Sequence, residues 1–293
     1  MGIRPLRQYY QRDGDAPPVV SIDPAFAIVL EPWRAHRTRF DAALRALPVD
    51  GWTRATRCSE WNVREVIGHL VVVDGFWGLT LSNARDGAAP TSFLDGFDPT
   101  SSTDDLVAAT LPVPIPELIE QSRAATLNVA GILDSFGPDS WTNCGESPLG
   151  HLPATVLAGH MLWDSWLHER DIFEPMGIAP ESSADELTAV TWFALCFAAL
   201  QGGLLDDPNA VGDAPESPID CALTFDDLPG RALRVQIDEG LAISAADPAD
   251  AVPAGSAVAF VDACAGRGPL AKALNGLPAD LAAQLSRAAL VLA

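Results

Sequence analysis

Apolar residues recur at helical spacing in four long segments of this chain, and the pattern then changes character. The first segment covers residues 23–48. Asp23 can cap and Pro24 suits a first turn, while Phe26, Val29, Leu30, Trp33, Phe40, Leu44 and Leu47 follow at helical intervals. The second opens within residues 58–70, CSEWNVREVIGHL. There Asn62 and Glu65 form a capping box, and Trp61 and Val66 stand where a hydrophobic staple places them. The third starts at Pro116 and runs through Leu118, Ile119, Ala125, Val129, Ile132, Leu133 and Phe136 to Gly137-Pro138. The fourth runs from Pro153 to about Phe173, with Pro175 and Gly177 as its stop. Residues 83–116 are rich in Gly, Pro, Asp, Ser and Thr and predict a long loop, a lid or pocket wall. Residues 141–152 predict a second connection. Four apolar-striped helices with no strand pattern between them imply a four-helix bundle, and the long loop permits a crossover.

Beyond Gly177 the period changes. Ser183 and Glu186 form a further capping box, which starts a helix ending near Leu205. A linker rich in Pro, Gly and Asp covers 206–218. Alternation then takes over: Cys221, Leu223 and Phe225, next Leu233, Val235 and Ile237, next Leu241 and Ile243. The last two runs flank Asp238-Glu239-Gly240, which reads as a hairpin. The Ala-rich remainder predicts helices broken at Gly266, Gly268-Pro269, Gly276 and Pro278. The chain is thus read as mainly α, with an N-terminal tail at 1–21, a bundle at 22–178 and a smaller α+β domain at 179–293.

Charge and composition narrow the partners. The chain has 293 residues, 48% of them hydrophobic, so a sizeable core is expected. The net charge of −21 repels polyphosphates and anionic membrane surfaces, so neither nucleic acid nor membrane is expected as a partner. Five scattered cysteines without a CxxC pair argue for a reducing compartment and against a disulfide framework. The N-terminus MGIRPLRQYY has no apolar signal region, and Leu6 stands where a myristoylation motif takes Ser or Thr. No apolar run of membrane-span length is read. The expectation is a cytoplasmic monomer or homodimer.

The candidate chemistry lies in HMLWDSWLHERD, residues 160–171. In one helix His160, Asp164 and His168 are successively four residues apart and form a single stripe. His69 shares the face of Val66 and Val73 on the second helix. If the second and fourth helices face each other, His69, Asp164 and His168 make a His₂Asp set with an open fourth position, the form of a catalytic zinc site. An ordinary hydrogen-bonded Asp164–His168 pair is the competing reading. Asp171 can orient the second ring nitrogen of His168 or pair with Arg170 or Arg64. His160 is a rival ligand, a pocket acid/base, or a core residue. His151 is expected in solvent.

CSEWNVREVIGHL followed some ninety residues later by WDSWLHERDI resembles the mycothiol-dependent maleylpyruvate isomerase family, within the DinB-like superfamily of metal-binding four-helix bundles. The resemblance covers 22–178. The family's first motif ends in a metal-binding His before Leu, matched by His69. Its second has an acidic residue, three residues, His and a nearby Asp, matched by Asp164, His168 and Asp171. The isomerase has Glu where this chain has the shorter Asp164. The resemblance implies a divalent metal, zinc first, that binds the sulfur of mycothiol or a similar thiol. It also implies a C-terminal domain resembling a sterol-carrier-protein module, whose catalytic Arg has its nearest counterpart in Arg267. The implied activity is a metal- and thiol-dependent transferase or isomerase acting on an electrophilic small molecule. A thiol-independent Lewis-acid hydrolase or cyclase of a small apolar metabolite and a non-enzymatic binding protein are the alternatives.

Overall fold

The computed structural model describes residues 20–22, 29–88, 101–147, 150–204, 217–238 and 241–286. They fall into two compact units. The first takes 29–88, 101–147 and 152–182, and the second takes 20–22, 150–151, 183–204, 217–238 and 241–286.

The first unit is a bundle of α1 (Leu30–Arg45), α2 (Val63–Arg85), α4 (Ile115–Asp134) and α5 (Ala154–Phe173). Its neighbours are α2 with α4, α2 with α5, α1 with α4, and α1 with α5. The second and fourth bundle helices of the sequence reading are therefore adjacent. Asn62 starts α2 as anticipated: its side chain accepts from the Glu65 N–H, and the Glu65 carboxylate accepts from the Asn62 N–H at 2.8 Å. Trp61 and Val66 join one apolar cluster with Phe40, Leu44, Leu70 and Leu118. Burial of these side chains, about 1.5–3 kcal/mol each, holds the helices together far more strongly than helix propensity does. Gly177, at φ 77°, turns the chain out of the final helical turn after α5.

The structure differs from the sequence reading at several places. The predicted loop 83–116 holds α3 (Ser101–Thr110), which packs on α2; residues 89–100 lie outside the described residues. Its apolar positions, Leu106 and Val107, are too few to stand out among polar neighbours. The 141–152 connection carries two short strands, β2 (Cys144–Ser147) and β3 (Gly150–Pro153). His151, expected in solvent, is buried. The predicted start of the first helix, 23–28, lies outside the described residues. By length and composition α2 is apolar enough to cross a membrane, contrary to the reading that no run reaches that size. Half of its most apolar stretch is buried inside the protein, as in a core helix, and it carries the buried Asp74.

The second unit is α+β. Its sheet runs β1-β6-β5-β4-β7, formed by β1 (Val20–Ile22), β4 (Ile219–Thr224), β5 (Ala232–Ile237), β6 (Leu241–Ala246) and β7 (Val252–Pro253). The three central strands are antiparallel, with Cys221 opposite Val235 and Val235 opposite Ile243, while the edge strands β1 and β7 run parallel to their neighbours. In β5, Leu233, Val235 and Ile237 are buried while Arg234 and Gln236 face water, where both bond Asp220. Helix α6 (Ala184–Leu204), with the Glu186 N–H donating to Ser183 Oγ, packs on β6, α7 (Ala257–Cys264) and α9 (Ala279–Leu285). A short α8 (Leu270–Ala273) lies against α7. Strand β1 corrects the expected tail: Val20–Ile22 extend the sheet, a contribution too short to show a period. Residues 239–240 of the predicted hairpin and 205–216 of the predicted linker lie outside the described residues.

Candidate metal centre

Helix α5 is buried along almost its whole length, yet it carries His160, Asp164, His168, Glu169 and Asp171. Polar groups in such a helix must find partners or charge compensation. Asp164 lies between two imidazoles. Its Oδ1 is 3.5 Å from His168 Nε2 and its Oδ2 is 3.8 Å from His69 Nε2. The His69 and His168 rings meet edge to face with centroids 4.9 Å apart, and the Trp61 ring lies 5.0 Å from that of His69. One donor atom from each of the three residues lies within 4.8 Å of the others. The side chains of His69 and Asp164 are 13% and 19% exposed, so the cluster is reachable from solvent.

The electrostatics match that geometry. Burial pushes the Asp164 carboxyl up, but His168 and His69 more than offset this and hold it well below the usual carboxylate range. Burial likewise pulls the His168 imidazole down, while Asp164, Asp171 and Cys58 raise it well above its ordinary value. The cluster therefore stabilises positive charge between its donors. Two imidazoles and one carboxylate so placed suit a zinc-like ion by donor chemistry.

Asp171 takes up the orienting position. It is fully buried, and its Oδ2 accepts from His168 Nδ1 at 3.0 Å, which turns Nε2 toward Asp164. Among the described residues the cation paired with it is Arg57, which the sequence reading did not name. Arg57 Nε donates to Asp171 Oδ1 at 2.9 Å, Arg170 pairs with Glu174, and Arg64 donates to the Leu111 and Val113 carbonyls. The Cys58 thiol adds a further hydrogen bond to Asp171 Oδ2 at 3.0 Å. Arg57 precedes the second-helix motif and Cys58 opens it, but nothing in their spacing announces contact with a residue more than a hundred positions later.

His160 is one turn before Asp164 but outside the three-donor cluster. Its ring lies 4.9 Å from that of Trp77 and 5.8 Å from that of Trp163, and burial pushes its pKa down to about 4 against the pull of Asp164. It is a neutral imidazole at physiological pH. Arg267 belongs to the second unit, where Nη1 donates to the Ala265 carbonyl at 2.7 Å.

Behind the cluster is a buried polar network that the apolar periodicity of the helices concealed. Arg37 donates to Asp74 at 2.6 Å, to Thr126 Oγ1 at 2.6 Å and to Ser165 Oγ at 3.0 Å, and His36 Nε2 meets Ser165 Oγ at 2.8 Å. It ties α1, α2, α4 and α5 together next to Asp164. A groove of about 600 Å³ lies along α1 and the end of α5, lined by Ala43, Leu47, Phe173 and Met176, and includes none of the three donors.

A helical bundle with a His₂Asp donor set, followed by an α+β unit, defines a class of two-unit proteins with a metal-type centre in the bundle. Residues 33–173 match the family model described as the mycothiol maleylpyruvate isomerase N-terminal domain. The bundle of this chain thus matches the domain family that the two motifs resemble. Two similar solved structures are a mycothiol-dependent maleylpyruvate isomerase and a His-to-Ala mutant of it, at 15% and 14% identity. Each aligns with a TM-score of 0.56 over 83% of this chain and 90% of its own, a likeness of fold. No curated protein matches the chain.

Proposed function

We propose that this chain is an enzyme that binds a divalent metal through His69, Asp164 and His168 and works with a low-molecular-weight thiol of the mycothiol type. It isomerises, or transfers sulfur to, an electrophilic small molecule. The observation that carries the reading is the approach of these three donors, from α2 and α5, to within 4.8 Å of one another. The family of the bundle and the names of its structural relatives supply the thiol and the reaction type. A divalent ion held there would lower the pKa of a coordinating thiol, and the thiolate would supply reversible addition to and elimination from a conjugated double bond, the chemistry that interconverts cis and trans isomers.

The chain's own residues prepare the site. Asp171 fixes the His168 ring so that Nε2 faces the cluster. The Trp61 ring lies against that of His69. His160 offers an uncharged imidazole between Trp77 and Trp163, an acceptor rather than a donor of protons at neutral pH. The resemblance gives Arg267 a part in catalysis, which loss of turnover in Arg267→Ala would support. The test of the whole reading is turnover of maleylpyruvate by purified protein with and without mycothiol. Turnover that requires the thiol and is lost in Asp164→Ala agrees with it; turnover indifferent to thiol depletion contradicts it.

A further inference from the structure

We propose that Cys58 is a positioning residue for the metal centre, acting through Asp171 on His168; this rests on the metal reading above. A completely buried carboxylate needs every lone pair engaged to stay ionised and fixed. Asp171 Oδ1 is occupied by Arg57 Nε at 2.9 Å. Asp171 Oδ2 takes two donors, His168 Nδ1 at 3.0 Å and the Cys58 thiol at 3.0 Å. The Cys58 sulfur also lies 3.7 Å from His168 Nδ1, so it closes the remaining side of the carboxylate–imidazole contact. Without it Oδ2 loses one of its donors, and its hold on the imidazole is loosened.

The local chain is built to hold the thiol there. The Arg57 N–H donates to the Asp171 carbonyl at 3.0 Å, which docks the strand of chain before α2 on the end of α5. The Cys58 N–H donates to Thr56 Oγ1 at 3.1 Å, and the Trp61 N–H donates to the Cys58 carbonyl at 2.9 Å. Arg57 and Cys58 thus reach Asp171 as one unit, with backbone and both side chains on the same residue. Cys58 faces the nitrogen of His168 that is turned away from Asp164, and with His168 and Asp171 it makes a second group of donor atoms within 4.8 Å of one another; the serine variant separates a hydrogen-bond donor from a thiolate ligand there.

Partners at this remove from a metal typically change its affinity by 10–100-fold. The test is zinc affinity by chelator competition on the full chain, with the unfolding temperature of the zinc-free protein measured alongside. Cys58→Ala should weaken zinc binding by about 10-fold or more, and Cys58→Ser, which keeps a donor, should stay within about 3-fold of wild type. Cys58→Val, which fills the space without donating, serves as the second donor-free variant if Cys58→Ala does not fold, and should follow the Ala result. Equal zinc affinity in wild type and the donor-free variants overturns the proposal while leaving the metal site standing. So does an equal loss in Ser and Ala or Val that tracks their unfolding temperatures, since that marks packing alone. Wild type that takes up no zinc overturns the metal reading and this inference with it.

Discussion

The Arg37 guanidinium meets the Asp74 carboxylate at 2.6 Å inside the bundle, with both side chains nearly shut off from solvent. Neither charge has water to fall back on, so removing one strands the other. Arg37→Met is therefore expected to destabilise the fold by about 3–5 kcal/mol, and the double variant Arg37→Met/Asp74→Leu to recover much of that loss. Urea unfolding of the two variants beside wild type checks it; additive losses would show that the pair is not coupled.

Asp74 also gives the stability a pH dependence of known sign. Burial pushes its carboxyl from 3.8 up to about 6, with Arg37 opposing and Asp164 adding to the rise. The folded protein therefore holds this proton more tightly than the unfolded chain does. That contribution is fully present below 3.8 and is lost as the pH climbs through about 6. Asp74→Asn removes it. The stability of the variant relative to wild type should improve by up to about 3 kcal/mol between about pH 4 and pH 7. A difference that does not change with pH contradicts the assignment.

His160 behaves in the opposite sense. Its folded-state value of about 4 lies below the ordinary 6.5, because burial disfavours the imidazolium more than Asp164 favours it. The stability it contributes is present above 6.5 and lost as the pH falls toward about 4. Imidazole resonances followed by NMR should show it neutral down to that range, and His160→Phe should leave zinc stoichiometry unchanged. A titration near 6.5 would contradict the effect of burial on the ring, and loss of zinc in the variant would place it among the ligands.

The capping box of α2 makes a smaller, local prediction. Asn62→Ala removes the acceptor of the Glu65 N–H and should cost about 1 kcal/mol in urea unfolding. A change below about 0.3 kcal/mol would mean that the docking of residues 54–62 holds the helix start unaided.

What the sequence showed and what it hid follow from the range of the physics. Capping boxes and apolar stripes act within a few residues, so Asn62–Glu65, the four bundle helices and the alternation of Leu233, Val235 and Ile237 were legible. So was the approach of His69, Asp164 and His168, because two lie at i, i+4 on one helix and the third shares the apolar face of another. The partners of Asp171 were not: Arg170 and Arg64 stood near the right residues in sequence, while Arg57 arrives through a backbone docking that no local pattern reveals. Arg37 and Asp74 drew no notice because hydrophobic periodicity records which face is apolar and is silent about a charge buried among it. Strand β1 and helix α3 are too short, or too polar, for either period to emerge.

Metal content is the most direct measurement. After purification and dialysis against excess zinc followed by metal-free buffer, wild type should retain one zinc per chain by mass spectrometry, and His69→Ala and His168→Ala should retain almost none. Equal zinc in all three proteins, or none in wild type, would contradict a metal centre built on His69, Asp164 and His168.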